Sequence, residues 1–211
     1  YTALFGLIDA ILQRTIHLLL SFILLLLVNP RPFYFSSWFG PVGQAAYRAF
    51  IAVCAIAPLL YLIFNYQYLT DGRIQYVGDL TQTEIMLGCA FILALLELTS
   101  RVTGLALPGV CIAFIVFPFI PNLPGVFSHA GYTLAETLEF QYLTFSGVFG
   151  APLAASANFI ILFIIFGAFL ERSGLGSFMM DFTTGILGHR RGGAAKVAVV
   201  SSALNGMISG S

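Results

Sequence analysis

Long apolar runs, divided by short polar or proline-rich breaks, make up most of this chain. Several of them reach the roughly 20 residues that a helix needs to cross a bilayer core. Residues 1–17 carry Asp9, Gln13, Arg14 and His17 at helical spacing on one flank and read as an interfacial helix leading into the first span. That span, residues 16–28, stops at Asn29-Pro30-Arg31-Pro32, because two prolines forbid continuation. The aromatic FYFSSWFG that follows, with Trp38, suits the headgroup level. A second span, residues 44–64, contains Pro58 and is expected to kink or unwind locally there.

A polar connector, 65–83, holds the turn-forming Asp71-Gly72 and Asp79. The third span, 84–100, ends with Glu97 and Arg101 at i,i+4, the favourable orientation for a helical ion pair. A fourth span is expected over 105–120, leaving through the prolines of PFIPNLPG. Residues 121–141 form a connector with His129, Glu136 and Glu139 and no Lys or Arg. Glycine-interrupted YLTFSGVFGA (142–151) suggests a short or re-entrant helix before a fifth span, 152–170. Residues 175–195 read as a surface helix and a basic, glycine-rich turn. The closing KVAVVSSALNGMISGS (196–211) starts as an apolar helix and is expected to break up around Asn205, Gly206, Ser209, Gly210 and Ser211.

Composition agrees with the pattern. Hydrophobic residues make up 59% of the 211, charged residues only 9%, and mean hydropathy is +0.94; soluble domains carry roughly 25% charged residues. The fold class is therefore an all-α integral membrane protein, a multi-span helical bundle with a re-entrant hairpin beginning at its C-terminal end. A net charge of zero points away from nucleic acid. Cys54, Cys89 and Cys111 are scattered in apolar runs, which fits packing rather than a disulfide framework or metal cluster. The opening at Tyr1 lacks both an initiator Met and the features of a signal peptide, so the chain reads as an internal portion of something longer.

With five spans in alternation, Arg31, Arg48, Arg101, Arg172, Arg190, Arg191 and Lys196 share one side, and only Arg14 and Arg73 lie on the other. The basic side is expected to be cytoplasmic. That places loop 171–195 in the cytoplasm and Tyr1 on the periplasmic side of a bacterial inner membrane, and it calls for an upstream span.

The closing stretch carries the chemistry. Non-helical backbone at membrane depth is tolerated only where protein buries it or where it lines a polar cavity. Carbonyl and hydroxyl oxygens at Ser209, Gly210 and Ser211 would suit an alkali cation. The N–H groups of a broken helix would suit an anionic substrate. The same small residues could instead form a helix-packing face. An intramembrane serine enzyme built on Ser209 lacks a base, since His17, His129 and His189 all fall near membrane edges. The glycine-rich 185–193 lacks the ending of a phosphate-binding loop. A purely structural scaffold subunit suits residues 1–120.

From Phe145 onward the chain resembles the large membrane subunit of tripartite ATP-independent periplasmic (TRAP) transporters. The likeness lies in GVFGAPLAASANFIILFIIFGAFLERSG (147–174), GHRRGGAAKVAVV (188–200) and NGMISGS (205–211). LQRTIHLL (12–19), LELTSRVTGLALPGV (96–110) and HAGYTLAETL (129–138) resemble the small-subunit half and its junction, as in fused permeases that partner TAXI-type binding proteins. The resemblance implies small-subunit-like scaffold helices over 1–120 and a periplasmic connector over 121–141. It implies the start of the transport domain over 142–211, ending at the tip of the first re-entrant hairpin. Ser209, Gly210 and Ser211 would then help hold a coupling Na+, with Asn205, Gly206 and Gly167 beside the substrate. The implied function is secondary import of small carboxylates from a periplasmic substrate-binding protein, driven by a gradient of Na+ or H+. It requires no resident cofactor and no enzymatic step.

Overall fold

A computed structural model describes residues 9–29, 40–72, 79–122, 124–189 and 191–209. The Trp38 segment, Tyr1, Arg31, Arg73, Arg190, Gly210 and Ser211 lie outside the described residues. The protein is an all-helical membrane protein; among the described residues there is no strand. Among the described residues, four helices are long and apolar enough to cross a bilayer: α1 (Ala10–Val28), α2 (Pro41–Phe64), α3 (Gln82–Thr103) and α6 (Ala151–Arg172).

Local sequence explains where they start and stop. Asp9 caps α1, its carboxylate accepting from the Ile11 N–H at 2.9 Å. Pro41 opens α2 at a position where its missing N–H costs nothing. α3 begins with a capping box in which the Thr81 hydroxyl caps the Glu84 N–H, and the Glu84 carboxylate accepts from the Thr81 N–H at 2.8 Å. The same device, Thr133 with Glu136, opens the short α5 (Leu134–Leu138). There the Thr133 N–H and hydroxyl hold the Glu136 carboxyl below its ordinary pKa.

The chain forms two compact units, Tyr1–Ala154 and Ala155–Ser211. In the first, Leu18 and Phe22 of α1, Ile51, Ala55 and Leu59 of α2, and Phe91, Ala94 and Leu98 of α3 make one core. The ring of Phe91 lies 5.2 Å from Tyr142 and stacks on Phe149 at 5.7 Å. α2 stays α-helical through Pro58. The Pro58 carbonyl accepts a hydrogen bond from the Tyr142 hydroxyl at 2.7 Å, which ties the helix to the segment after α5.

The structure departs from the sequence pattern at three further places. The fourth apolar segment forms only α4 (Ala106–Val116) and one 3-10 turn, Phe117–Phe119. At 1.5 Å per residue α4 is roughly 17 Å long, short of a bilayer core of about 30 Å. Pro118 cannot donate its backbone N–H, and the helix tightens there.

Residues 142–151 form no short or re-entrant helix of their own. A π-helical turn, Glu139–Leu143, leads into a tight loop over 144–150. Thr144 Oγ1 donates to the Phe140 carbonyl at 2.8 Å, and the Val148 N–H reaches back to the Gln141 carbonyl at 3.1 Å. From α1, the Arg14 guanidinium donates to the Phe149 carbonyl and lies 5.3 Å from the centre of the Phe145 ring. Arg14, expected on the flank of an interfacial helix, lies instead in the spanning helix α1 and anchors a loop far along the chain.

α8 (Gly193–Ser209) stays helical through Asn205 and Gly206. Asn and Gly each cost about 1 kcal/mol or less inside a helix, and here the packing of α8 against α7 (Leu175–Leu187) outweighs that cost.

Candidate functional site

The second unit is built from α6 beyond a π-turn, Ser156–Ile160, together with α7 and α8. α6 ends at Glu171 and Arg172, and the chain reverses through Ser173 and Gly174. Gly174 has φ +84°, a left-handed conformation that glycine adopts without penalty. This lets α7 start at once, with no side chain capping its first turn. The Phe178 N–H is bonded to the Gly174 carbonyl at 3.0 Å, and the Ser177 hydroxyl donates to the same carbonyl at 2.7 Å.

A cavity of about 610 Å³ opens at this corner. Phe163, Ile164 and Gly167 of α6 form its apolar side, and Glu171, Ser177 and Asn205 supply its polar groups. A Cβ placed on Gly176 would stand 3.9 Å from Asn205 Oδ1, so the small residues of the α7 first turn let α8 come close. The cavity presents two kinds of partner. Backbone N–H groups of an uncapped helix start and the Asn205 amide can donate. The Glu171 carboxylate and the Ser177 oxygen can accept. Such a lining offers donors to an anionic group and acceptors to a cation.

The structure brings two of the sequence-derived residues, Gly167 and Asn205, to this one cavity. Gly206 is half-buried within α8 and is not part of the cavity wall. Ser209 is the last residue of α8, and Gly210 and Ser211 lie outside the described residues. From sequence, Glu171 and Gly174 read only as part of the cytoplasmic 171–195 segment, and Ser177 as part of its surface helix. Their signal was E-R-S-G, a charged helix end followed directly by a glycine and a new apolar helix. Among the described residues, no group of His, Cys, Asp and Glu could hold a metal ion.

The other polar cluster is in the first unit. Glu97 and Arg101 form the expected ion pair at 2.8 Å, with side chains 7% and 3% exposed. Arg101 Nε donates to both Glu97 oxygens at 2.9 Å, and the Tyr47 hydroxyl approaches Glu97 at 3.3 Å. Arg101 Nη1 donates to the Asn29 carbonyl, while Asn29 Nδ2 donates to the Arg101 carbonyl, both at 3.2 Å. This cluster joins the C-terminal end of α1 to that of α3.

Residues 90–211 match the family described as "Tripartite ATP-independent periplasmic transporter, DctM component". The match begins inside α3 and takes in the whole of the second unit. No curated protein and no solved structure matches the chain.

Proposed function

As this chain belongs to the DctM-component family of tripartite ATP-independent periplasmic transporters, we propose that the cavity of its second unit lies on the path of a small carboxylate moved by a secondary, ion-driven mechanism. The observation that carries it is the meeting of Gly167, Glu171 and Asn205 around the open first turn of α7. A carboxylate is stabilised by the N–H groups and positive end of a helix start. Glu171 offers the balancing charge that a co-transported cation needs.

In this reading a periplasmic substrate-binding protein delivers the cargo, and Na+ enters with it as a second substrate; a proton is the alternative. Residues 1–120 are scaffold, 121–141 a periplasmic connector, and 142–211 the opening of the transport domain, with α8 the first arm of a re-entrant hairpin. The compact core of α1, α2 and α3 supports a bracing role for the first part. Ser209, Gly210 and Ser211 at the hairpin tip supply oxygen ligands for Na+, and Asn205 and Gly167 line the cargo's way.

Uptake into proteoliposomes containing the full-length permease and its binding protein tests this. An inward Na+ gradient is expected to drive accumulation of a labelled carboxylate. Ser209→Ala, which deletes one proposed ligand, is expected to raise the half-saturating Na+ concentration about tenfold, equivalent to ~1.4 kcal/mol. An unchanged Na+ dependence would remove Ser209 from the site, and uptake indifferent to Na+ would remove sodium from the mechanism.

A further inference from the structure

A second cleft, of about 280 Å³, lies in the first unit between the C-terminal half of α1 and the ends of α2 and α3. Its walls are Leu26, Arg48, Ala49, Ala52 and Arg101. Arg48 is exposed, and among the described residues it has no hydrogen-bond or ion-pair partner. An unpaired cation on a membrane-spanning helix is costly and calls for a counter-charge. Among the described residues Glu97 balances only one of the two guanidinium groups, which leaves their part of the cleft a net positive charge. Among the described residues, the bonds from Arg101 to Glu97 and Asn29 also leave one N–H uncommitted on each of its terminal nitrogens.

We propose that this cleft binds the phosphate of an anionic phospholipid, with the lipid's acyl chain lying along Leu26, Ala49 and Ala52. Charge and shape agree. Guanidinium groups suit phosphate geometry, and basic pockets between membrane helices take anionic headgroups. The two alanines leave room for a chain beside an otherwise apolar wall. The depth agrees as well: Asn29, which closes α1, and Arg101, in the last turn of α3, set the cleft at helix ends, where headgroups lie. Free inorganic phosphate shares the headgroup's chemistry but gains nothing from the apolar wall.

Native mass spectrometry of the full-length protein, titrated with phosphatidylglycerol or with phosphatidylcholine of the same acyl chains, tests the proposal. Phosphatidylglycerol is expected to be retained in preference. Arg48→Gln is expected to lower that retention about fivefold, the worth of one basic residue at a membrane surface. Ala52→Phe keeps both charges but fills the cleft, and is expected to lower retention as well. Equal retention of the two lipids overturns the proposal, as does unchanged retention in both variants. Displacement of the bound species by millimolar inorganic phosphate would assign the cleft to a free anion and overturn the lipid assignment.

Discussion

Glu97→Ala is expected to destabilise the protein by about 3–5 kcal/mol, the cost of leaving a buried charge without its partner. The Arg101 side chain is only 3% exposed and takes its counter-charge from Glu97. Removing that carboxylate leaves a guanidinium whose one other bond among the described residues is to the Asn29 carbonyl. Because the Asn29–Arg101 exchange joins the ends of α1 and α3, the damage should spread to both helices. Thermal unfolding in detergent measures it. The double variant Glu97→Met with Arg101→Leu removes both charges together and is expected to recover most of the loss, since replacing a whole buried pair by apolar groups is often neutral. A double variant as unstable as the single one would mean that the cluster acts through packing and not through charge.

Gly147→Val should cost about 3 kcal/mol by overpacking. A Cβ at this position would collide with the Phe140 carbonyl oxygen and stand 2.5 Å from Gln141 Cα. Both are backbone atoms of the π-helical turn, held by the Thr144 and Val148 hydrogen bonds, so neither can swing aside. The loop must open, and it carries with it Phe149, which stacks on Phe91 in the core, and the Arg14 contact. Gly109 is the control: it lies within α4, and a Cβ there meets nothing within 4 Å. Gly109→Ala is expected to be neutral or to stabilise by up to about 1 kcal/mol. Equal melting temperatures for Gly147→Val and wild type would show that the loop is not packed as described.

Much of this was legible in the sequence because lipid imposes a simple rule: apolar runs of sufficient length become helices. The positions of α1, α2, α3 and α6 follow from that rule alone, and the Glu97–Arg101 pair follows from its spacing. One failure came from tertiary packing that overrode local signals, another from a proline whose local effect was stronger than the apolar run around it. Asn205 and Gly206 looked like a break, but local propensity is weak beside helix–helix packing, and α8 continues. The apolar run around Pro118 looked long enough to span, but proline ended the α-helix early.

The role of Arg14 could not be read, because its partners, Phe145 and Phe149, are distant in sequence and nothing local announces them. The capping boxes at Thr81–Glu84 and Thr133–Glu136 could have been read from T-x-x-E and were missed. Of the residues lining the cavity, Gly167 and Asn205 are the two that the sequence singles out. Glu171 and Ser177 were hidden, since their relevance arises only when Gly174 turns α7 back beside them.

The central claim is that cargo passes through the cavity lined by Gly167, Glu171 and Asn205. It is tested most directly by Asn205→Cys in a background where Cys54, Cys89 and Cys111 are replaced by alanine. Reaction of this cysteine with a bulky polar thiol reagent should cut Na+-driven uptake by more than about tenfold. Saturating carboxylate with its binding protein should slow the reaction. Complete modification of the cysteine with undiminished uptake would contradict the account and place the transport path elsewhere.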